Sequence, residues 1–291
     1  MTRVLQIGGF GWSEAPPAEA ISAAGAALEG GDVLFLPELR FEVQPSERLL
    51  FTPSILGSSK NASYDPASRR LGGTSATGAD AETLRAFIHR FSESAASLVG
   101  RLIPAYGARI VRGRASFRPA EIAGRPTTWR QDDTRLHVDS FPATPSGGRR
   151  ILRVFSNVNP EGWPRAWRLG DDFEGVARRF APQLRVPLPG VGHLLALVRV
   201  TRTPRSAYDA LMLQLHDRMK ADEAFQKGSP QSRVDLPAGS TWMAFTDQVS
   251  HAAMSGQYQL EQTFLLPVNA MLDEARSPLR ILEKLKGRRL A

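Results

Sequence analysis

The chain has 291 residues, of which 42% are hydrophobic and 23% are charged, the balance of an ordinary globular protein. It contains no cysteine, which excludes disulfide bonds, thiolate metal sites and cysteine nucleophiles. The net charge of +8 favours anionic partners such as nucleic acid, an acidic membrane surface, or a phosphorylated or carboxylated substrate.

The amino terminus does not have the pattern of a targeting segment. Residues 1–7 lack the continuous apolar stretch of a signal peptide, and no run of about 18 apolar residues occurs elsewhere. We therefore expect a cytoplasmic protein that is soluble or peripheral to a membrane.

The first hundred residues mix short strands with helices. The pattern predicts strands at 3–7 and 32–36 and helices at 18–28 and 80–101, the longer helix carrying apolar residues at three- and four-residue spacings. Residues 47–73 are rich in Ser, Asn and Pro. Irregular segments of this length are typically mobile or cover an active site, so we expect this one to act as a lid.

After Pro104 the pattern becomes that of short strands separated by Gly and Pro. Strands are predicted at 109–117, 129–138, 150–158, 241–246 and 257–266, a spacing typical of a sandwich or jelly roll. Residues 163–187 resemble an insertion with a short helix at 173–180, and 194–200 fits either a strand or a helix. An amphipathic helix is predicted at 206–224.

We therefore predict an α+β fold with a double-stranded β-helix (jelly-roll, cupin-like) core and flanking helices. All 291 residues form one domain in this interpretation. Its parts are a core at about 105–267, an N-terminal helical and β extension at 1–104, and a C-terminal basic helix at 268–291. The basic tail from 277 either lies on an anionic membrane surface or is a solvated helix packed by one apolar stripe, and we favour the second interpretation.

Three side chains could form a metal centre: His137, Asp139 and His251. On a strand, residues two apart point to the same face, so His137 and Asp139 would converge. Two imidazoles and one carboxylate are the ligands of the facial triad that binds non-haem Fe(II) and leaves positions open for substrates. A His-x-Asp tripeptide alone is weak, because one arises readily by chance among five histidines. The jelly-roll pattern and the Pro-Ala-Gly-Ser turn and strand before His251 strengthen the prediction.

Such a centre implies a bidentate co-substrate and dioxygen. Many 2-oxoglutarate enzymes place an arginine about ten residues after the distal histidine, but residues 259–263 contain neither Arg nor Lys. Arg153, on the strand that follows the His-x-Asp motif, is the candidate for the co-substrate carboxylate, with Asn157 and Thr263 as helpers. The alternative is that Arg153 is only an ion-pair partner. His89 is interpreted as an ordinary helix histidine, and His216 as a structural or exposed residue and not a ligand.

A group of basic and aromatic residues precedes the motif and is a candidate substrate site. Arginine suits bidentate recognition of carboxylate and phosphate, and an aromatic face can stack on a sugar ring. The candidates are Arg114, Arg118, Trp129, Arg130 and Arg135.

Longer blocks of sequence resemble a known family. Residues 114–119 (RASFRP), 129–139 (WRQDDTRLHVD) and 152–160 (LRVFSNVNP) resemble the bacterial 3-deoxy-D-manno-oct-2-ulosonic acid (Kdo) hydroxylases, as do residues 61–65 (NASYD) and the region around His251. The resemblance extends over most of the chain, and these blocks are far more specific than the tripeptide.

This resemblance implies a dioxygenase that uses Fe(II), 2-oxoglutarate and O2. It would hydroxylate C3 of a Kdo sugar in the lipopolysaccharide inner core to give Ko, with succinate and CO2 as co-products. The metal positions correspond to His137, Asp139 and His251. The implied partner is Kdo-bearing lipid A, met in the cytoplasm or at the anionic surface of the inner membrane. The oligomeric state is left open.

Two other classes remain as alternatives. One is a cupin-like sugar isomerase or epimerase that uses the same metal site without dioxygen. The other is a non-catalytic jelly roll that binds anionic glycans. Nucleic acid is not expected as a partner, because the sequence has no zinc finger, no RNP motif and no block of consecutive basic residues.

Overall fold

The computed structural model describes residues 1–125 and 127–291. Its strands are β1 (Val4–Gln6), β2 (Val33–Leu36), β3 (Ala62–Asp65), β4 (Arg70–Gly72), β5 (Val111–Arg118), β6 (Arg150–Asn157), β7 (Arg165–Leu169), β8 (Ser232–Leu236), β9 (Thr241–Phe245), β10 (His251–Ser255) and β11 (Gln259–Leu266). Its α-helices are α1 (Ala18–Glu29), α2 (Gly78–Leu102), α3 (Phe173–Phe180), α4 (Val191–Leu197), α5 (Ala207–Ala221), α6 (Glu223–Gly228) and α7 (Pro278–Lys286).

The strands form two sheets. The larger sheet has eight strands in the order β1-β2-β9-β6-β11-β5-β3-β4, and the smaller has three in the order β10-β7-β8. Large aromatic side chains fill the space between them: Phe155 stacks on Trp242 at 5.2 Å between ring centroids, and Trp167 meets Trp242 edge-on at 5.6 Å. Burial of such rings contributes a large apolar area to the core. This arrangement is the predicted α+β jelly roll with flanking helices.

The first hundred residues extend both edges of the larger sheet. Strand β2 pairs with β9 at one end, and β3 pairs with β5 at the other. The prediction of a structureless segment at 47–73 was wrong in this respect, because Ala62–Asp65 and Arg70–Gly72 form a hairpin. Ladder hydrogen bonds to β5 satisfy its backbone, so the segment does not need to remain irregular.

Helix α2 covers the outer face of the larger sheet. Its buried side chains recur at helical spacing and include Leu84, Phe87, Phe91 and Leu98, as predicted. His89 lies beside this stripe with Nδ1 3.2 Å from the hydroxyl of Tyr64, in the ordinary structural role expected for it.

Helix α5 begins at a capping box and shares one buried apolar cluster with α3 and α7. Ser206 Oγ accepts from the backbone N–H of Asp209, and Asp209 accepts in return from the backbone N–H of Ser206. Asp209 also accepts from the backbone N–H and hydroxyl of Ser146, which ties α5 to the loop after the His-x-Asp motif. The single helix predicted at 206–224 is two helices, because Asp222 ends α5 and caps α6.

The C-terminal helix is held against the body of the protein. Leu279 and Leu282 are buried, and Lys286 Nζ donates to the carbonyl oxygens of Ala181 and Leu184 at 2.6 and 2.9 Å. This matches the favoured interpretation of a tail packed by one stripe. Among residues 1–125 and 127–291, no helix is long and apolar enough to cross a membrane.

Three local predictions need correction or resolution. Residues 129–138 do not form a regular strand, because the backbone N–H of Leu136 donates to the side chain of Gln226 instead of a neighbouring strand. Residues 163–187 are not simply an insertion, since Arg165–Leu169 is the central strand of the smaller sheet. The ambiguous stretch at 194–200 belongs largely to helix α4 and the turn after it.

Candidate active site

His137 and His251 are brought together by a backbone bridge. Each donates its N–H to the carbonyl oxygen of the other, at 3.0 and 2.9 Å, so the two residues lie directly opposite each other. The N–H of Asp139 donates to Thr246 O at 2.7 Å, which ties the backbone of Asp139 to the loop between β9 and β10. The three side chains therefore converge although the motif is not in a regular strand.

The donor atoms of this group suit a metal ion. One ligand atom from each of His137, Asp139 and His251 lies within 4.8 Å of the others. His137 Nδ1 lies 2.7 Å from Arg135 O, and His251 Nδ1 lies 2.8 Å from Val249 O. A carbonyl oxygen only accepts, so both Nδ1 atoms carry the proton and both Nε2 atoms keep a free lone pair. This is the tautomer that a metal ligand requires.

The electrostatic surroundings favour the same protonation states. Burial lowers the pKa of His137 well below its ordinary value, and the neighbouring His251 lowers it further. Burial also lowers the pKa of His251. For Asp139, burial alone would raise the pKa, but Arg153 and the two imidazoles outweigh it and hold the pKa well below the usual range. The three residues thus present two neutral imidazoles and one carboxylate, which fits a divalent metal of the Fe(II) type.

These residues lie in the wall of a cavity of about 310 Å³. Its charged lining comprises six cations, Lys60, Arg118, Arg130, Arg153, Arg165 and Lys220, and three carboxylates, Asp133, Asp139 and Glu261. The excess of cations favours anionic ligands. Trp167 forms part of the wall and stacks on the ring of His251 at 5.1 Å, which fixes the orientation of that imidazole.

The three arginines of the larger sheet and β7 differ in their ion pairs. Arg153 lies 3.0 Å from Asp139 and 2.9 Å from Glu261, and Arg118 lies 2.8 Å from the other oxygen of Glu261. Arg165 is 2% exposed and has no carboxylate within 4.0 Å in the part of the chain that the structure describes. Burial, together with the nearby Arg118, lowers its pKa to about 9. Arg165 is thus the arginine with the most unused capacity for an anion.

Helix α5 contributes two cavity residues that sequence reasoning missed. His216 and Lys220 are four positions apart, so they share one face of the helix, and both line the cavity. His216 Nδ1 donates to Val138 O at 2.9 Å, and its ring meets that of His137 edge-on at 5.1 Å. Lys220 is 2% exposed and donates to Arg130 O at 3.0 Å. The four-residue spacing of His216 and Lys220 on the helix predicted at 206–224 was the available signal.

Lys60 and Asp133 were missed as well. Lys60 Nζ donates to the carbonyl oxygen of Gln131 and lies 3.5 Å from Asp133 Oδ2. Lys60 belongs to the 47–73 segment, so part of the predicted lid does line the cavity. No pattern in the sequence connects these two residues, which are 73 positions apart.

The predicted substrate residues separate into two groups. Arg118 and Arg130 line the cavity, and Trp129 packs against Arg130, whose guanidinium lies 4.3 Å from the ring centroid. Arg114 lies outside the cavity and is exposed. Arg135 also lies outside it, because its guanidinium pairs with Glu223 and donates to Lys220 O.

The predicted helpers of Arg153 also lie outside the cavity. Asn157 Nδ2 donates to Trp163 O and Leu236 O, both at 3.0 Å, and the residue lines a separate cavity of about 510 Å³. Thr263 is the register partner of Arg153 on β11 but does not line the metal cavity. Arg153, by contrast, lies in the cavity wall with His137, Asp139 and His251.

One known protein family matches nearly the whole chain in both sequence and structure. A sequence model of the family described as 3-deoxy-D-manno-oct-2-ulosonic acid (Kdo) hydroxylase matches residues 11–289. The solved Kdo hydroxylase KdoO, a non-heme Fe(II) α-ketoglutarate-dependent dioxygenase in complex with α-ketoglutarate and Fe(III), is 45% identical with a TM-score of 0.96. The alignment covers 99% of this chain and 97% of that one.

Two further KdoO structures agree. The cobalt(II) complex is 46% identical with a TM-score of 0.96, and the complex with succinate and Fe(III) is 45% identical with a TM-score of 0.95. Both alignments cover 99% of this chain and 97% of the other. No curated protein matches the sequence. Because the family model matches residues 11–289 of this chain and KdoO has nearly the same structure, the chain belongs to the Kdo hydroxylase family.

Proposed function

We propose that this protein hydroxylates C3 of a Kdo sugar in the inner core of lipopolysaccharide to give Ko, with Fe(II), 2-oxoglutarate and O2. Membership of its family makes the chain a non-haem Fe(II), 2-oxoglutarate-dependent dioxygenase. The observation that carries the proposal is the convergence of His137, Asp139 and His251 in a cavity lined by an excess of cations. Succinate and CO2 are the co-products.

The residues that would hold the metal are His137 and His251, each through Nε2, and Asp139 through its carboxylate. When bound, Fe(II) supplies the activation of O2 for hydroxylation, chemistry that protein side chains do not provide. The protein contributes ligand orientation. The hydrogen bonds from the two Nδ1 atoms to Arg135 O and Val249 O fix both rings before the metal arrives.

Recognition of 2-oxoglutarate falls to the buried arginines. We propose Arg153 as the main anchor of the distal carboxylate, supported by Arg118 and Arg165, all of which line the cavity. A dicarboxylate entering here exchanges its hydration for charge-assisted hydrogen bonds in a buried site. Arg165 has no carboxylate within 4.0 Å among the described residues, whereas Arg153 forms ion pairs with Asp139 and Glu261.

Recognition of the sugar falls to a different set of elements. Kdo carries a carboxylate, and Lys220 on α5 and Arg130 on the loop before the His-x-Asp motif present cations in the same cavity. His216 has a free Nε2 that can accept from a sugar hydroxyl, since its Nδ1–H is used by Val138 O. Trp129 offers an aromatic face beside Arg130. We place the sugar against these residues, with a Kdo-bearing lipid A as the natural acceptor.

The experiment is a product analysis by mass spectrometry. Kdo-bearing lipid A incubated with the protein, Fe(II), 2-oxoglutarate and O2 should gain the mass of one oxygen atom, and fragmentation should place it at C3. Each reactant is omitted in turn as a control. Oxygen-independent conversion of a sugar without succinate release would instead indicate an isomerase or epimerase. Binding of the glycan without any turnover, unchanged in His137→Ala, would indicate a non-catalytic module.

A further inference from the structure

The segment that contains α4 exposes an unusual amount of apolar surface. Within residues 188–200, here called the apolar loop, six large hydrophobic side chains are exposed: Leu188 (77%), Val191 (37%), Leu194 (58%), Leu197 (79%), Val198 (58%) and Val200 (55%). They are six of the thirteen large hydrophobic side chains exposed among the described residues. A cluster of this kind marks an interaction surface more often than scattered exposed residues do.

The apolar loop has a defined conformation. The backbone N–H of Val200 donates to Leu195 O at 2.9 Å, and Thr201 at its base is buried. Gly192 lies so close to the backbone of Arg205 that a Cβ on Gly192 would be 2.0 Å from Arg205 O. The loop therefore doubles back on its own stem, and this packing holds its apolar side chains in solvent.

The charged residues in the sequence that flanks the loop have a single sign. No Asp or Glu occurs from Gly175 to Tyr208, whereas six arginines do: Arg178, Arg179, Arg185, Arg199, Arg202 and Arg205. Arg178 pairs with Glu174, and Arg179 lies near Asp222. Arg199 and Arg202, which flank the end of the loop, are exposed and form no ion pair with any described residue. An apolar tip ringed by arginine complements an anionic lipid surface.

The segment that follows the apolar loop is hydrogen-bonded to residues beside the metal cavity. The backbone N–H of Arg202 donates to Ala143 O at 2.9 Å, and Arg205 Nη2 donates to Pro142 O at 2.7 Å. Pro142 lines the cavity that holds His137, Asp139 and His251. A surface that engages the loop is thus held close to the mouth of this cavity.

We infer that the apolar loop inserts into the interfacial region of a bilayer with anionic headgroups and so positions the metal cavity next to lipid-anchored sugar. The choice of a bilayer as occupant rests in part on the proposed function, because its acceptor is a lipid. The C-terminal helix does not have this role. Its apolar residues Leu279 and Leu282 are buried in the fold, and Lys286 is engaged by backbone carbonyls.

The first test is co-sedimentation of the full-length protein with lipid vesicles. Wild type should bind vesicles of phosphatidylethanolamine and phosphatidylglycerol and bind pure phosphatidylcholine much less. The double variant Leu194→Ser/Leu197→Ser should bind the anionic vesicles at least about tenfold more weakly. It lacks the favourable free energy of transferring two leucine side chains from water into the bilayer. Leu49→Ser/Leu272→Ser is the matched control, since both leucines are exposed elsewhere on the surface. Equal binding by the two double variants would overturn the inference.

The second test separates the two basic regions. Arg199→Glu/Arg202→Glu should abolish binding to anionic vesicles, whereas Arg288→Glu/Arg289→Glu, with the same change of charge on the C-terminal tail, should retain most of it. The opposite result would assign membrane contact to the tail and refute the role of the loop.

The third test reports insertion directly and uses the absence of cysteine from the chain. Leu197→Cys and Leu272→Cys each accept one environment-sensitive fluorophore. Anionic vesicles should shift the emission of the label at position 197 to the blue and leave that at 272 unchanged. A label at 197 that stays in water despite vesicle binding would contradict the inference.

A second copy of the chain is the alternative occupant. If sedimentation equilibrium shows an oligomer that Leu194→Ser/Leu197→Ser dissociates, and neither protein binds vesicles, the loop is a subunit interface and the inference fails. Succinate release is measured on the same preparations without vesicles. Normal succinate release without vesicle binding would contradict only this inference. Vesicle binding without succinate release would contradict only the proposed function.

Discussion

Arg153 Nη2 lies 3.0 Å from Asp139 Oδ2, so the proposed co-substrate anchor also neutralises the single carboxylate of the proposed metal site. Its Nη1 lies 2.9 Å from Glu261. The two interpretations raised by the sequence, anchor or ion-pair partner, are therefore compatible. One guanidinium with five donors can serve both carboxylates and still offer an edge to a ligand.

Replacement of Arg153 by Ala should raise the apparent KM for 2-oxoglutarate by roughly 30-fold or more, since truncating one partner of a buried charge pair costs about 2 kcal/mol or more. Arg233→Ala, an exposed arginine on β8, is the control and should leave the KM unchanged. Succinate release measures the KM, and calorimetry measures metal binding. An unchanged KM in Arg153→Ala would transfer the anchoring role to Arg165 or Arg118.

Replacement of His137 or His251 by Ala should remove both metal binding and turnover. With Co(II) or anaerobic Fe(II) at about a hundredfold excess over Kd, wild type should gain about 2.7 kcal/mol of stability, a rise in Tm of roughly 5 °C. The two variants should show no rise. His193→Ala, an exposed histidine on the apolar loop, is the control and should respond like wild type. A normal metal-induced shift in His137→Ala would refute the proposed metal centre.

Replacement of Lys220 by Met should weaken binding of the Kdo-bearing acceptor and leave binding of 2-oxoglutarate unchanged. Met keeps the apolar stem but removes the ammonium, and loss of a hydrogen bond to a charged group costs about 1.5–3 kcal/mol, which is roughly a tenfold to hundredfold rise in acceptor KM. Succinate release without acceptor should continue. Lys227→Met, on the exposed side of α6, should behave as wild type. A rise in the 2-oxoglutarate KM instead would place Lys220 at the co-substrate.

The buried pair of Arg150 and Asp247 should be critical for stability. Arg150 is fully buried, its Nε donates to Asp247 at 2.8 Å, and its guanidinium lies 4.0 Å from the ring centroid of Phe245. Burial raises the pKa of the Asp247 carboxyl, and Arg150 is the main group that opposes this rise. Arg150→Met should therefore lower the free energy of unfolding by about 3–5 kcal/mol.

The double variant Arg150→Met/Asp247→Leu should recover more than half of that loss, because no uncompensated charge remains buried. Urea denaturation followed by circular dichroism measures all three proteins. Additive losses in the double variant would show that the pair stabilises the fold by more than mutual neutralisation. The surface pair Arg233 and Asp235 is the control and should contribute no more than about 1 kcal/mol.

The convergence of His137, Asp139 and His251 could be predicted from the sequence, although the local backbone differs from the expected strand. The sequence pattern predicts a strand through His137 and Asp139, on which alternate residues share a face. The structure has an isolated bridge to His251 and no regular strand there. The side chains still converge, because extended backbone has the same alternation whether or not a full ladder of hydrogen bonds surrounds it.

The rest of the cavity depends on tertiary packing that no local pattern encodes. His216 and Lys220 face the cavity because Asp209 ties α5 to Ser146, across 63 residues of chain. Arg135 and Arg114 belong to the same basic stretch as Arg118 and Arg130, yet they point elsewhere. Their directions are set by partners such as Glu223 that become neighbours only after folding.

The bridge between His137 and His251 has a consequence for folding. It joins two positions separated by 114 residues, and contacts of such long sequence separation close slowly because the chain between them must first be ordered. The amide of each histidine is also protected by the carbonyl of the other, so local opening exposes both to hydrogen exchange together. Recovery of iron binding during refolding therefore reports that the jelly roll is complete. It does not report the initial collapse of the chain.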